Sequence, residues 1–318
     1  MITELANQPR LVLDARLRPL IGSSFQPTGF ANLGAAEFTR PGGEPALLVE
    51  SVQSMTNRLE EIGTETATRT PIDLLCQLPW IGVRDSEGKL LTSSRLEPHR
   101  LASAYVRDAR IDGASGEDWL VRRLGLAAKT PLDMPSIYRA VFDLDPLCLI
   151  HGVFFSAKAF HGNPKIRRVV TAVIEAHGVS PLVSGGLKRD DVQFTAAKGS
   201  AGAGEGYGFI PFSRTEYVAQ EIVLSASIDL GQIRGYGLDE AATSLLELLA
   251  IWELAELLER PLRLRTACDL ELKAVTVRRP EGLSLPSATD LRARVAEMLG
   301  GVAFEHPGER SAVWEAKG

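Results

Sequence analysis

The chain has 318 residues, of which 45% are hydrophobic and 24% are charged. This composition is typical of a folded globular protein and excludes a wholly disordered chain. The net charge of −5 argues against general adhesion to nucleic acid, which is driven by the neutralisation of phosphates. No apolar leader begins the sequence and no run of about 18 apolar residues occurs, so a cytoplasmic location without a membrane partner is expected.

Positive charge is concentrated in one part of the chain. Between residues 156 and 214 there are eight basic and four acidic residues, a local charge of +4. A basic segment on an acidic protein favours a groove for one polyanion, although a solvated loop with scattered charges would show the same counts. The basic residues are Lys158, Lys165, Arg167, Arg168, Lys188, Arg189, Lys198 and Arg214.

The first predicted strand covers residues 11–17, where Leu and Ala at every second position share one face. Residues 22–32 follow as a polar loop rich in Ser, Gln, Thr and Gly. Between residues 46 and 62, apolar residues recur at steps of three and four, which predicts a helix with one buried face. Residues 63–146 are predicted to be an insertion of short elements.

Within that insertion, Ser115 and Asp118 form a capping-box pattern, which predicts a helix running to Leu124. The apolar run at residues 148–155 predicts a buried strand. Residues 165–176 are predicted to form a helix, with Ile and Val on its inner face.

Residues 184–212 contain a glycine-rich run whose backbone entropy opposes regular structure, and they are predicted to form a long loop or hairpin that orders on binding. Alternation predicts a long strand over residues 216–230. Residues 239–258 are the strongest predicted helix of the chain, and residues 262–277 supply one or two final strands. A last helix is predicted over residues 287–299, capped by a serine.

Without its insertions, the chain has the order strand, helix, strand, strand, helix, strand. This order predicts an α+β fold of the ferredoxin-like or RNA-recognition-motif type, in which a four-stranded antiparallel sheet carries two helices on one face. A doubly wound parallel sheet would need a more regular alternation of strands and helices.

Motifs of the common enzyme chemistries are missing from the sequence. The glycine-rich run lacks the lysine and hydroxyl of a Walker loop and never forms GxGxxG, and HExxH and GxSxG do not occur. Cys76, Cys148 and Cys268 are far apart, and the histidines are not paired at a metal-ligand spacing. We therefore expect a protein that is not an enzyme and needs no cofactor or metal.

Three polar stretches are suited to phosphates and riboses, which are bound by backbone N–H groups, hydroxyls, amides and cations. The first is the loop at residues 22–29, and the second is the outer face of the helix over residues 51–58. The third is the glycine-rich region that begins at Lys188, where aromatic residues could stack on bases or anchor the loop to the core.

At these stretches the chain resembles a known family. The matching segments are RPLIGSSFQPTGFANLG (18–34), LLVESVQSMTNRLE (47–60), SGGLKRD (184–190), GYGFIPFSRTEY (206–217) and LRLRTACDL (262–270). They are similar to the Cas-seven-type backbone subunit, in its Csb-one branch, of type I-U (also called I-G) CRISPR effector complexes, a member of the RAMP superfamily. The resemblance covers about residues 11–280.

The resemblance implies a modified RNA-recognition fold, called the palm, at residues 1–62, 147–183 and 217–280. It implies a helical fingers insertion at residues 63–146 and a protruding thumb loop at residues 184–216, followed by a C-terminal helix and tail at residues 281–318. Copies of the chain would stack head to tail along a CRISPR RNA beside other effector subunits, and the guide would pair with target DNA.

The resemblance also implies roles for individual residues. The expected RNA contacts are Ser23, Ser24, Gln26, Gln53, Asn57, Arg58, Lys188, Arg189 and Arg214, with Lys158, Lys165 and Arg167 as further candidates. Phe194 and Phe209 are candidate wedges of the thumb. Two alternatives stay open: a metal-dependent ribonuclease of the same fold using Asp190 or Asp191, and an unrelated enzyme that binds a phosphorylated ligand at the glycine-rich loop.

Overall fold

The computed structural model describes residues 2–30, 34–188 and 210–315, and within them the chain is an α+β protein, as predicted. The first elements are α1 (Ile2–Leu5), β1 (Arg10–Pro19), β2 (Gly29–Phe30), β3 (Gly34–Ala35), β4 (Glu37–Thr39), β5 (Pro45–Glu50) and α2 (Val52–Ile62). The helix predicted over residues 46–62 is wrong in its first part, which is β5. Ser51 separates the two elements because its side chain accepts a hydrogen bond from the Ser54 backbone N–H at 3.3 Å and so caps α2.

The next part of the chain contains short elements, as predicted. They are β6 (Thr64–Glu65), β7 (Thr70–Pro71), β8 (Trp80–Arg84), β9 (Leu90–Ser93), α3 (Ala104–Asp108), β10 (Arg110–Ile111), β11 (Ala114–Ser115), α4 (Gly116–Arg123) and α5 (Met134–Leu144). The predicted capping box is confirmed, since the Ser115 hydroxyl accepts from the Asp118 backbone N–H at 3.1 Å.

The remaining part supplies most of the large sheet. Its elements are α6 (Leu147–His151), β12 (Val153–Phe154), β13 (Lys165–Ile166), β14 (Val170–His177), β15 (Ser180–Lys188), β16 (Ile210–Val218), β17 (Glu221–Asp229), α7 (Leu230–Arg234), α8 (Glu240–Glu259), β18 (Leu262–Arg265), β19 (Cys268–Arg279), α9 (Ala288–Leu299) and β20 (Glu309–Val313). The predicted helices at residues 239–258 and 287–299 are confirmed. The strand predicted at residues 216–230 is confirmed at residues 221–229, which are β17, whereas residues 216–218 are the end of β16, which pairs with β15.

Two other predictions in this part are wrong. Residues 148–151 are the end of helix α6 and residues 153–154 form β12, because the four side chains at 148–151 are all buried and periodicity cannot then separate a strand from a helix. Residues 165–176 are mostly strand β14, not a helix. Alternate residues from Val170 to Ala176 are buried there, and their β-branched neighbours favour the pleated surface between two strands.

The large sheet has seven strands in the order β18–β19–β1–β17–β14–β5–β4, and all neighbours are antiparallel. Four of its strands, taken with the helices between them, follow the predicted order, although β14 takes the place of the strand predicted at residues 148–155: β1, α2, β14, β17, α8, β19. Their spatial arrangement β19–β1–β17–β14 is that of a ferredoxin-like sheet. Helix α8 packs against α2, α6 and α9, and it is buried on nearly all sides. No helix in the described part of the chain is long and apolar enough to cross a membrane.

The small sheet, of order β11–β10–β20–β8–β9, joins the insertion to the end of the chain. Strand β20 lies at its centre and runs parallel to β8, with Ala312 opposite Val83 and fully buried. Residues 281–318 were expected to be a separate helix and tail, but residues 309–313 complete the sheet of the insertion. Sequence reasoning could not show this, because the paired strands are more than 200 residues apart.

Buried charged groups connect the insertion to α2. Arg100 donates to both carboxylate oxygens of Glu60 at 2.5 and 2.8 Å and to the Gly152 carbonyl at 3.0 Å. Close by, Asp145 lies 3.7 Å from Arg95 and accepts from the Ser94 hydroxyl at 2.6 Å. Burial raises the pKa of Asp145 despite this arginine. Buried charges must be paired, so these contacts fix how the insertion lies on α2.

The central position of β20 is tested by Ala312→Asp. The new carboxylate would have no partner inside the small sheet, so the free energy of unfolding should fall by at least about 3 kcal/mol. Backbone amides of β8 and β10 should exchange hydrogen faster. Ser311→Asp is the matched control, since Ser311 is exposed on the same strand and the same charge there should change stability by less than about 0.5 kcal/mol. Equal effects of the two variants would contradict this arrangement.

Candidate nucleic-acid interface

The polar loop after β1 is fastened to the base of the β15–β16 ribbon. Phe25 is buried, and its backbone exchanges two hydrogen bonds of 2.9 Å with the backbone of Tyr217. Beside this bridge, the Ser24 hydroxyl donates to a Glu216 carboxylate oxygen at 2.8 Å. Although Ser24 and Glu216 are 192 positions apart in sequence, the loop and the ribbon form one continuous surface.

A single arginine joins this loop to two strands of the large sheet. Arg265 donates from Nη1 to the Gln26 carbonyl at 3.1 Å and from Nη2 to the Val49 carbonyl at 3.0 Å. Its guanidinium also forms an ion pair with the buried Glu50 carboxylate. We call Arg265 with these three partners the Arg265 clamp. The planar guanidinium offers five N–H donors in fixed directions, which suits it to three acceptors at once.

The Arg265 clamp shows that the large sheet is curled. Strands β18 and β5 are five positions apart in the sheet, which in a flat sheet is roughly 24 Å, far beyond the reach of an arginine side chain. The contact therefore requires the two ends of the sheet to approach each other. A further backbone hydrogen bond, from the Gln26 N–H to the Ala267 carbonyl at 2.7 Å, holds the loop against the β18–β19 turn.

The outer face of α2 lies next to this turn. Arg58 donates from Nη2 to the Leu264 carbonyl at 2.7 Å and lies 3.5 Å from Glu61. Its guanidinium is thus used within the protein to hold α2 against β18. Gln53 and Asn57 are exposed on the same helix and keep their amide groups available to a ligand.

The β15–β16 ribbon pairs in register from Ser180 with Val218 to Lys188 with Ile210. On β16, the Arg214 guanidinium forms an ion pair with Glu216, the carboxylate that also accepts from Ser24. Lys188 is the last residue of β15. The other residues predicted for this arm lie outside the described part of the chain: Arg189, Asp190, Asp191, Phe194 and Phe209.

Tyr217 attaches the ribbon to β4. Its hydroxyl donates to the Glu37 carboxylate, and burial followed by this hydrogen bond raises the pKa of Tyr217 to about 12. The phenol therefore stays protonated and continues to donate throughout the neutral range. Strand β4 is in this way fixed beside the loop and the ribbon base.

The remaining predicted residues lie elsewhere. Lys158, Lys165 and Arg167 are exposed around the β12–β13 hairpin, which precedes β14. The ribbon follows the other end of β14, and the eight residues of that strand span roughly 26 Å. The structure therefore brings together Ser23, Ser24, Gln26, Gln53, Asn57, Arg58 and Arg214, and it separates them from Lys158, Lys165 and Arg167.

The assembled surface is suited to binding by its chemistry. It offers hydroxyls, amides and backbone groups, and its two buried carboxylates, Glu50 and Glu216, are each paired with an arginine. Among the described residues no group of three His, Cys, Asp or Glu side chains is placed to hold a metal ion. Such a surface can bind phosphate and ribose groups, and two exposed acids beside it, Glu37 and Glu61, are partnered by Tyr217 and Arg58.

Sequence reasoning missed Arg265 and Glu216 as individual residues, although both lie in segments that carried the family resemblance. Arg265 was hidden because its partners are 215 or more positions away. A weak signal for Glu216 was available, since it is an acid within an alternating strand pattern where a polar partner would be required.

The Arg265 clamp is tested by Arg265→Lys, which keeps the charge but cannot reach three acceptors. Loss of the charge-assisted hydrogen bonds to Gln26 and Val49 should lower the free energy of unfolding by about 2 kcal/mol or more in urea titrations. The amides of Phe25 and Gln26 should also exchange hydrogen faster.

Arg263→Lys is the matched control, because Arg263 is exposed on the same strand. It should change the free energy of unfolding by less than about 0.5 kcal/mol. If the two lysine variants were equally stable, Arg265 would not hold the loop to the sheet.

Comparison with known proteins places the chain in a family. The model of a family described as "CRISPR-associated protein GSU0053" matches residues 11–181, more than half of the chain. A chain of "CRISPR RNA-guided surveillance complex, pre-nicking" is 12% identical over 92% of this chain and 85% of its own length, with a TM-score of 0.44. Csc2 from Thermofilum pendens is 11% identical over 94% of this chain and 79% of its own length, with a TM-score of 0.30.

No curated protein matches the sequence. The likenesses to solved structures are weak, and the assignment rests on the family model. That match confirms the resemblance to Cas-seven-type CRISPR proteins predicted from the sequence. The chain belongs to the CRISPR-associated protein GSU0053 family.

Proposed function

We propose that the chain is a non-catalytic backbone subunit that binds CRISPR RNA in a type I-U (I-G) effector complex. Several copies line up head to tail along the guide and leave its bases free to pair with target DNA. The observation that carries this proposal is the convergence of three polar segments at one end of the curled sheet, where the Arg265 clamp and the Ser24–Glu216 hydrogen bond join them.

The chemistry of this surface favours recognition of the backbone of a nucleic acid over its bases. Ser23, Ser24, Gln53 and Asn57 present neutral hydrogen-bonding groups, which bind phosphate and ribose oxygens of any sequence. Sequence specificity then belongs to base pairing by the guide, as in other RNA-guided systems. This way of binding is compatible with an acidic chain, because only the surface along which the RNA lies needs to attract the phosphates.

The ribbon supplies the charge. Arg214 lies at the surface with about a third of its side chain exposed and forms an ion pair with Glu216. The predicted arm at residues 184–216 leaves the polar loop near Arg214, and Lys188 is paired with Ile210 at the far end of the ribbon. In this proposal the arm crosses the guide, and Phe194 and Phe209 displace nucleotides at regular intervals.

Two opposite changes at the ribbon base test the proposal. Arg214→Ala should weaken binding of single-stranded RNA of any sequence and reduce the slope of log affinity against log salt by about 0.7, the value for one lost phosphate contact. Glu216→Gln keeps an acceptor for Ser24 but removes a negative charge and releases Arg214, so affinity should rise several-fold. Both are measured by fluorescence anisotropy with labelled RNA over a salt series.

Glu309→Gln is the control for Glu216→Gln, because Glu309 is a half-buried acid that is likewise paired with an arginine, Arg84, but lies in the small sheet. It should leave RNA affinity unchanged.

The same titrations with RNAs of increasing length should show more copies bound per RNA in regular steps. Affinity that is indifferent to Arg214→Ala and Glu216→Gln, or one copy bound whatever the length, would refute the proposal.

A further inference from the structure

The β12–β13 hairpin is held rigidly to the core without the help of its most exposed aromatic residue. Phe155 and Phe160 are buried in contact with each other, with ring centroids 5.1 Å apart. In the loop between β12 and β13, the side-chain amide of Asn163 donates to the Phe155 carbonyl at 3.3 Å. At the base of the hairpin, Gly152 has a φ of 81°, and an added Cβ would lie 2.8 Å from the Ile166 carbonyl oxygen.

Phe154, unlike its neighbour Phe155, is not packed into the core. Its side chain is 47% exposed, while the chain buries the next ring completely. It pairs across the hairpin with Lys165, whose Nζ lies 5.5 Å from the centroid of the Phe154 ring. A cation beside an exposed aromatic face is an arrangement that binds nucleobases and phosphates together.

The charge around this ring is not neutralised. Residues 146–174 include Lys158, Lys165, Arg167 and Arg168 but no Asp or Glu, in a chain with 40 acidic residues. Most arginines of the chain form ion pairs, for example Arg10, Arg84 and Arg265. Lys158, Lys165 and Arg167 make no ion pair with any residue that the structure describes. Lysines elsewhere, such as Lys273, make none with those residues either, so these cations are distinguished by their grouping in a segment without acids. Unpaired cations grouped on an otherwise acidic protein attract a polyanion.

We propose that the β12–β13 hairpin is a second binding site for single-stranded nucleic acid. One base stacks on the exposed face of Phe154, and Lys158, Lys165 and Arg167 contact the phosphates on either side. An acidic protein surface would satisfy the cations, but its carboxylates would not stack on the ring as a base does. Single-stranded nucleic acid satisfies both, because every base has a flat face and every linkage carries a charge.

This second site is distinct from the surface around the Arg265 clamp, since the two lie at opposite ends of β14. It goes beyond the proposed function, which needs only the ribbon end of the sheet. The strand that it holds is either a neighbouring stretch of the guide RNA or a single strand of the DNA target. Both share the chemistry of bases on a phosphate chain, so the site is tested with each.

The stacking part is tested with Phe154→Leu in the full chain, which keeps an apolar side chain beside Lys165 but removes the ring. To isolate the hairpin, the variant is made both alone and together with Arg214→Ala and Lys188→Ala. Affinity for labelled eight-nucleotide RNA and DNA should fall roughly five- to a hundred-fold, the effect of losing one base–aromatic stack. Tyr105→Leu is the control, because Tyr105 is similarly exposed, at 43%, but lies on α3 in the insertion.

The charge part is tested by the triple change Lys158→Ala, Lys165→Ala and Arg167→Ala. It should reduce the slope of log affinity against log salt by about 2, since three phosphate contacts are lost. The control removes Lys89, Lys129 and Lys273, three exposed lysines in other regions, and should leave that slope close to the wild-type value. Thermal melts establish that all variants are folded.

Loss of affinity for RNA alone would support the inference and identify the guide as the ligand, and loss for DNA would support it and identify the target strand. Unchanged affinity in the hairpin variants, or an equal loss in their controls, would overturn it. A change in oligomeric mass without any change in nucleic-acid affinity would also overturn it, in favour of a protein contact. Failure of the hairpin variants alone leaves the proposed function standing, whereas failure of the Arg214 and Glu216 variants alone does not affect the hairpin.

Discussion

The guanidinium of Arg265 is the constraint on which the arrangement of the polar surface depends. It binds a carbonyl of the loop after β1, a carbonyl of β5 and the buried carboxylate of Glu50, so three distant parts of the chain meet at one planar group. Without it, Glu50 would be a buried charge lacking its partner, which is among the most costly defects in a folded protein. Curling of the sheet and placement of the loop are thus enforced by the same contact.

The electrostatics of this surface follow from the same pairing. A site for a polyanion that contains two buried acids would repel its ligand unless those acids were neutralised. Arg265 neutralises Glu50, and Arg214 with the Ser24 hydroxyl neutralises Glu216. What remains in the described part of this surface is mostly hydrogen-bonding, and its exposed acids, Glu37 and Glu61, are partnered by Tyr217 and Arg58. This explains how a chain with a net charge of −5 can present a strand-binding surface.

Much of the fold could be predicted from the sequence because its central elements have strong periodic patterns. Alternation in β1 and the capped helix α8 are visible in the residues alone, and they led to the strand–helix order that the structure contains. The errors occurred where local patterns are ambiguous: residues 148–155 are apolar on all sides, and residues 165–176 satisfy either period over a short window. The parallel pairing of β20 with β8 depends on contacts between distant segments that no local pattern encodes.

The types of residue in the candidate site could be predicted from the sequence, but the contacts between them could not. Polar loops and amide-bearing helix faces are recognisable in sequence, and they led to the prediction of Ser24 and Gln26, which the structure places beside Glu216 and the β18–β19 turn. The tertiary partners of those residues, Glu216 and Arg265, were not recognisable, because a charge in a strand shows its role only when its partner is known. Lys158, Lys165 and Arg167 share the chemistry of the other candidates, and only the structure separates them in space.

Hydrogen exchange of the full chain with and without single-stranded RNA tests the central claim most directly. Binding at the surface built by the Arg265 clamp predicts slower exchange of the amides in residues 22–28, at the start of α2 and in residues 214–217. The Arg265→Lys variant should lose this protection together with part of its RNA affinity. Protection confined to the small sheet and the insertion, with residues 22–28 unchanged, would contradict the account.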